Sequence, residues 1–301
     1  MEFFQPLLPS PVQEVNLPVC REKQVRLFIK REDLIHPHLS GNKWRKLKYN
    51  LIEMKSKDYQ SVFTFGGAFS NHLYAFASAC DLNDIAGIAF IRGDGFDPEN
   101  PTLQHLERCG IQMIFLDRAS YKLKLNAKEV FQFNTRVKNA YYIPEGGSNE
   151  SGLRGVLEMM EEIHNSDFSY NRIAVAAGTG CTAAGISMKN KSITEVYPAL
   201  KGSFMFDLIK GFHKNVSTNT LVIADYHFGG YGKFNKELIR FIEDFESETG
   251  IPLDPVYTGK MMYGLVHRIK NNVYPSNTTI LAIHTGGLQG NEGFRYKYGL
   301  L

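Results

Sequence analysis

Apolar residues recur at two periods along this chain, and their alternation predicts its architecture. Trp44, Leu47, Leu51 and Met54 follow one helical face and predict a helix over 42–55. Leu153, Val156, Leu157, Met160 and Ile163 do the same for 151–164. Further helical patterns cover 70–82, 101–109, 121–134, 183–188 and 233–249. Between them lie short runs rich in β-branched and aromatic residues: 61–65, 85–91, 111–116, 140–143, 173–177, 221–224 and 278–284, with 27–29 ahead of the first helix. Strands alternating with helices imply an α/β fold with mostly parallel sheets and helices on both faces. Crossovers in such sheets are right-handed, and ligands bind beyond the carboxyl ends of the strands.

Those carboxyl ends share a character. G-G-A-F-S-N-H at 66–72, E-G-G-S-N at 145–149, A-G-T-G-C-T at 177–182, G-G-Y-G at 229–232 and H-T-G-G at 284–287 are all small and polar. If each is a strand exit, they converge on one cleft. Gly178-Thr179-Gly180-Cys181-Thr182 follows a buried strand and opens a helix, so its backbone N–H groups and hydroxyls suit an anion. Residues 178–183 also fit the dinucleotide pattern G-x-G-x-x-A, with Glu195 as the ribose-binding acid. No Gly-Lys-Ser/Thr follows, so this is not a P-loop.

The block S-G-N-K-W-R-K-L-K-Y-N at 40–50 places Lys43 in the first turn of its helix and Lys46 on the same face. Ser40 or Asn42 can cap that helix, and Gly41 permits close approach to its first turn. A lysine at a helix N-terminus faces the unfavourable end of the macrodipole, which lowers its pKa and suits a nucleophilic amine. Taken alone, a K-x-x-K pair reads as a solvated basic face. A reactive lysine, a second lysine beside it and a phosphate cradle are together what a pyridoxal phosphate enzyme requires.

With these parts in order, the blocks S-G-N-K-x-R-K-L-x-Y, G-G-x-x-S-N-H, G-T-G-x-T-x-A-G, D-P-V-Y-T-G-K and H-T-G-G resemble the D-cysteine desulfhydrase and 1-aminocyclopropane-1-carboxylate (ACC) deaminase family, from about residue 25 to 290. That family belongs to the tryptophan-synthase-β-like pyridoxal phosphate enzymes. The resemblance implies two open twisted sheets in two domains: a large one from 1–45 and 150–301, a small one from 46–149, with the cofactor between them. It makes Lys43 the lysine that joins the cofactor and exchanges the α-proton. Lys46 and residues Gly178, Thr179, Gly180, Cys181 and Thr182 would hold the phosphate. Asn71 would bind the 3′ oxygen, and Ser70 the substrate carboxylate or a shuttled proton. Tyr257 would stack near the ring and Tyr231 would face the substrate. For Ser70 and Asn71 the competing reading is a helix cap, and for His72 a packed or capping histidine. The resemblance also implies a homodimer acting on a small amino acid.

Two positions bear on the reaction. ACC deaminases typically carry Glu where this chain has Thr258 and Leu where it has Thr285; desulfhydrase-like members carry Thr at both. A carboxylate keeps the pyridine nitrogen protonated and sustains the carbanion that ring opening needs. A neutral hydroxyl is a weaker partner and suits elimination, in which a leaving group departs at once. The expected reaction is therefore α,β-elimination, with D-cysteine as the leading substrate. The alternatives are ACC deaminase, a dinucleotide-dependent oxidoreductase using 178–183, and a cofactor-binding protein without turnover.

Composition narrows the picture further. In 301 residues, 43% are hydrophobic and 22% charged, which is ordinary for a soluble globular chain. A net charge of +3, dispersed apart from 43–48, gives no basis for nucleic-acid binding. No apolar run approaches the ~20 residues of a membrane span. M-E-F-F-Q-P-L-L-P-S-P lacks a basic region followed by an apolar one, so no signal peptide is expected. Cys20, Cys80, Cys109 and Cys181 form no C-x-x-C pair, which favours a reduced cytoplasmic compartment over a zinc site.

Overall fold

In the computed structural model, described for residues 6–137, 139–212, 216 and 218–300, the apolar runs form ten strands. In chain order these are β1 (Val12–Val15), β2 (Arg26–Lys30), β3 (Ser61–Gly67), β4 (Ala86–Arg92), β5 (Gln112–Leu116), β6 (Ala140–Tyr142), β7 (Arg172–Ala177), β8 (Ile193–Pro198), β9 (Thr220–Val222) and β10 (Thr279–Ile283). They divide into two sheets. The larger has the order β1-β2-β10-β7-β8-β9 and the smaller β5-β4-β3-β6. Every pairing is parallel except β1 with β2, which is antiparallel at the edge. Central strands have helices over both faces, so they read as continuous apolar runs: Ile173, Ala174 and Val175 are all fully buried.

The smaller sheet is built from 61–142 and the larger from both flanks. The joining element is the helix Gly41–Ser56, which packs along the helix Glu150–His164. A boundary drawn between 45 and 46 therefore falls inside one unbroken helix. Gly155 allows the contact, because a Cβ there would lie 1.7 Å from the Arg45 carbonyl oxygen. Beside it, buried Arg45 bonds Glu32 through Nε and Nη2 (2.8 and 2.9 Å) and Glu162 through Nη1 (2.5 Å). Burial would raise the Glu32 carboxyl, but the Arg45 guanidinium outweighs it and holds it below the ordinary value.

Several elements differ from the periodicity. The helix expected over 121–134 is two helices, Arg118–Leu123 and Lys128–Arg136, because Lys124 takes φ 52° and breaks the ladder. The helix expected from 233 begins at Lys236, since Asn235 Oδ1 accepts the Leu238 N–H at 2.9 Å and caps it there. The helices Thr258–Lys270 and Gly290–Tyr298, and the strands β1 and β8, have no counterpart in the sequence reading. No helix among the described residues is long and apolar enough to cross a membrane.

Candidate active site

The strand exits meet as expected over part of their number. Loops 177–182 and 284–287, the first turn of Gly41–Ser56 and the start of the helix Asn71–Leu82 enclose a cavity of about 650 Å³, partly open to solvent. Gly41, at φ 64°, lets the helix start against β10: a Cβ there would lie 1.9 Å from the Thr285 carbonyl oxygen, which accepts the Asn42 N–H at 3.2 Å. Ser40 stands at the N-cap, but its side chain makes no capping bond.

Lys43 and Lys46 both line this cavity. Lys46 is 1% exposed and, among the described residues, its ammonium reaches only Ser148 Oγ, at 3.4 Å. That excludes the solvated basic face. Burial pulls the Lys43 pKa well below that of an ordinary lysine, and the Lys46 charge lowers it further. Lys46 is lowered by burial too. The depression at Lys43 thus comes chiefly from desolvation and its neighbour, where the sequence argument had invoked the helix end.

On the opposite wall Gly178, Thr179, Gly180 and Thr182 form the start of the helix Cys181–Lys189. Thr182 Oγ1 accepts from Asn42 Nδ2 at 2.9 Å, and Thr179 Oγ1 lies 2.6 Å from Ser148 Oγ. The loop E-G-G-S-N thus packs between Lys46 and Thr179: a Cβ on Gly147 would meet Lys46 Cβ at 3.2 Å, and one on Gly146 the Thr179 methyl at 3.1 Å. Two lysine amines without a carboxylate at ion-pair distance among the described residues, beside a helix N-terminus, make a site that favours an anion. A phosphate-bearing aldehyde fits that donor set: the phosphate against Lys46 and 178–182, the aldehyde at Lys43.

Asn71, Tyr257 and Thr285 complete the walls among the expected residues. The Asn71 amide lies against loop 284–290, where a Cβ on Gly287 would come within 2.4 Å of Nδ2. Tyr257 borders the phosphate loop, its hydroxyl 3.1 Å from where a Gly178 Cβ would stand. Its backbone is set by Asp254, whose Oδ1 accepts the N–H of Val256 and Tyr257 at 2.8 and 2.7 Å.

Four expected residues lie off the walls. Cys181 is fully buried in the core cluster with Ala183 and Ala184. Ser70 caps its helix, with Oγ accepting from His72 and Leu73 N–H at 3.2 and 3.3 Å. Thr258 is fully buried, and its hydroxyl donates to Asp254 Oδ2 at 2.6 Å while accepting the Asp254 N–H at 2.9 Å. Tyr231 is 50% exposed, its ring 6.1 Å from that of Tyr257. His72 is buried against Thr64 Oγ1 at 2.8 Å, and its Nδ1 has no partner. Burial, then Lys43 and Lys46, depress its pKa well below the usual value.

The structure also brings in His38, Ala75 and Gln289, which the sequence reading did not select. Ala75 stands one helical turn beyond Asn71, a spacing that could have flagged it. His38 and Gln289 lie in loops without periodicity. The acid needed for a dinucleotide is not available: Glu195 is fully buried, bonded to Arg172 Nη1, Tyr197 OH and Tyr274 OH at 2.7–2.8 Å.

A two-sheet α/β fold with a lysine and a phosphate cradle in the cleft between its sheets defines a pyridoxal phosphate enzyme of the tryptophan-synthase-β-like type. The sequence matches the family "Pyridoxal-phosphate dependent enzyme" over residues 4–286. The chain belongs to that family and, within it, to the D-cysteine desulfhydrase and ACC deaminase group. It is 32% identical to the bifunctional D-cysteine desulfhydrase/ACC deaminase, mitochondrial, of Arabidopsis thaliana, over 94% of this chain and 77% of that one. It is 34% identical to a Pyrococcus horikoshii protein whose name assigns ACC deaminase provisionally, over 97% and 93% of the two chains. The crystal structure of an ACC deaminase homologue superposes with a TM-score of 0.83 at 31% identity, over 98% of this chain and 94% of the other.

Proposed function

We propose that this chain catalyses α,β-elimination from a small β-substituted amino acid, with D-cysteine as the leading substrate and pyruvate, hydrogen sulfide and ammonia as products. One observation carries the choice of elimination: among the described residues, no Asp or Glu lies on the walls of the cavity. The hydroxyl at the β10 end is the neutral Thr285. The Thr258 hydroxyl gives its proton to a carboxylate, Asp254 Oδ2, which also accepts the Thr258 N–H. Nothing on the walls would hold a ring nitrogen protonated for a long-lived carbanion, which ring opening of ACC demands.

Pyridoxal phosphate, when bound, supplies an aldehyde for the substrate amine and a ring that draws electrons from the α-carbon. The chain's residues do the rest. Lys43 Nζ, with its pKa depressed by burial, is neutral more often than a surface lysine and takes up the α-proton. Lys46 and the 178–182 loop hold the phosphate, and Asn71 the 3′ oxygen. The Ser70 oxygen accepts two backbone N–H groups, so its own proton remains to donate to a substrate carboxylate at that helix N-terminus. Tyr257 walls the ring, and Tyr231 stands at the rim.

The second reading is ACC deaminase, favoured by the names of the relatives. An absorption spectrum followed by keto-acid release from D-cysteine, L-cysteine, D-serine and ACC in parallel separates the two. Pyruvate from the β-substituted substrates is expected. Inactivity on all of them, with 2-oxobutanoate from ACC, overturns elimination. Lys43→Ala is expected to abolish turnover and leave the circular dichroism spectrum intact.

A further inference from the structure

We propose that His38 is the acid that protonates the departing β-substituent, an inference that rests on the elimination reading. His38 lines the same cavity as Lys43. It sits in the turn H-P-H-L just before the S-G-N-K block. His36 Nδ1 clamps that turn by accepting the N–H of His38 and Leu39, at 3.2 and 3.0 Å. Pro37 between the histidines fixes one of the intervening dihedrals.

The imidazole is held as well as placed. Its Nδ1 lies 3.0 Å from the Tyr74 hydroxyl. Tyr74 is itself held, stacked on His105 at 3.7 Å between centroids and 11° between planes, while His105 Nε2 meets Ser78 Oγ at 2.8 Å. A tyrosine hydroxyl can donate to a neutral imidazole and accept from a protonated one. The contact therefore survives both protonation states, as a group that gives and regains a proton requires. Nε2 has no hydrogen-bond partner among the described residues. The other titratable groups on the walls have other tasks: Lys43 takes the α-proton, Lys46 faces the phosphate loop, and the Tyr257 hydroxyl abuts Gly178.

The α-proton passes to Lys43 Nζ, and its electron pair forms the Cα–Cβ double bond. The Cβ–O bond of a hydroxyl substrate breaks, and the oxygen leaves with the pair of that Cβ–O bond while taking the proton from His38 Nε2, so that water departs. Solvent reprotonates His38, which stands exposed at the cavity mouth. Chloride leaves without a proton; hydroxide does not.

The test compares serine and β-chloroalanine, each in the configuration the wild type prefers. His38→Ala is expected to lower kcat/KM for serine about 100-fold, and by at least tenfold more than for β-chloroalanine. His38→Gln is expected to match His38→Ala, because an amide keeps a hydrogen bond but has no transferable proton. Added imidazole is expected to restore serine elimination in His38→Ala. Equal losses on both substrates, retained serine activity in His38→Gln, or a wild type that uses β-chloroalanine but not serine would each overturn the role of His38 while leaving elimination intact. A wild type that releases no pyruvate from β-chloroalanine takes down both readings.

Discussion

Lys46→Met changes one buried cation and should move two measurements in opposite directions. Among the described residues the ammonium has no ion-pair partner and one long contact, 3.4 Å to Ser148 Oγ. In the cofactor-free protein it carries a desolvation cost with little in return. Methionine keeps most of the apolar volume and removes that cost, so the apo protein should be unchanged or stabilised by up to about 1–4 kcal/mol, the range seen when buried ionic groups give way to apolar ones. With cofactor, the same substitution removes a charge-assisted hydrogen bond to phosphate, about 1.5–3 kcal/mol. That is a dissociation constant weakened roughly 10- to 150-fold. The pH dependence follows from the depressed pKa. The unfolded chain holds the Lys46 proton to about 10.4, whereas the folded chain releases it earlier. The unfolded state thus binds more protons between those values, and apo stability rises with pH across that window. Lys46→Met should remove this part of the rise. Urea melts of the apo protein at several pH values and a spectroscopic titration with pyridoxal phosphate supply both readings. An apo variant destabilised by more than about 2 kcal/mol, with cofactor affinity within twofold of wild type, would refute the reasoning.

Gly155→Ala is expected to cost about 1–3 kcal/mol in urea unfolding, since its Cβ would stand 1.7 Å from a backbone oxygen and force two packed helices apart. Arg45→Met should cost about 3–5 kcal/mol at pH 7, because it leaves fully buried Glu32 without its guanidinium. Glu32 is held below its ordinary value, so the stability it contributes is present above about pH 4.3 and is lost as pH falls through the folded value. The loss caused by Arg45→Met should shrink in melts over that acid range. Lys260→Met removes a buried ammonium that donates to the His227 and Gly230 carbonyls at 2.9 and 2.8 Å. Each carbonyl keeps a backbone N–H, from Gly230 and Lys233, so a loss of only about 1–3 kcal/mol in thermal melts is expected from the ammonium's two bonds. Because burial lowers the Lys260 pKa to about 8, wild-type stability should gain from pH 8 toward about 10.4, and the variant should lack that gain.

Local periodicity was enough to read most of the fold from the residues. Trp44, Leu47, Leu51 and Met54 mark a helix wherever they occur, and all four are buried in the helix Gly41–Ser56. Runs such as 173–177 mark central parallel strands because both their faces must be apolar. The ordered blocks around Lys43, Asn71, Gly178, Tyr257 and Thr285 also lie in the sequence, and these residues line one cavity. What lay outside its reach depends on partners far along the chain. Lys46 looks like a surface lysine until the E-G-G-S-N loop, 100 residues on, closes over it. The Thr258 hydroxyl faces Asp254 because that carboxylate organises the turn, a choice of rotamer that no spacing encodes. Glu195 fits a ribose-binding pattern, but two tyrosines and an arginine consume it. His38 gives no periodic signal, and only folding brings it to the cavity that Lys43 lines. Elements and chemical parts are legible along the chain alone, since dihedral preference and burial of one face act over a few residues. The tertiary structure decided which charges are left unpaired and which side chains face the cavity, since desolvation and hydrogen bonding are settled only when distant segments meet.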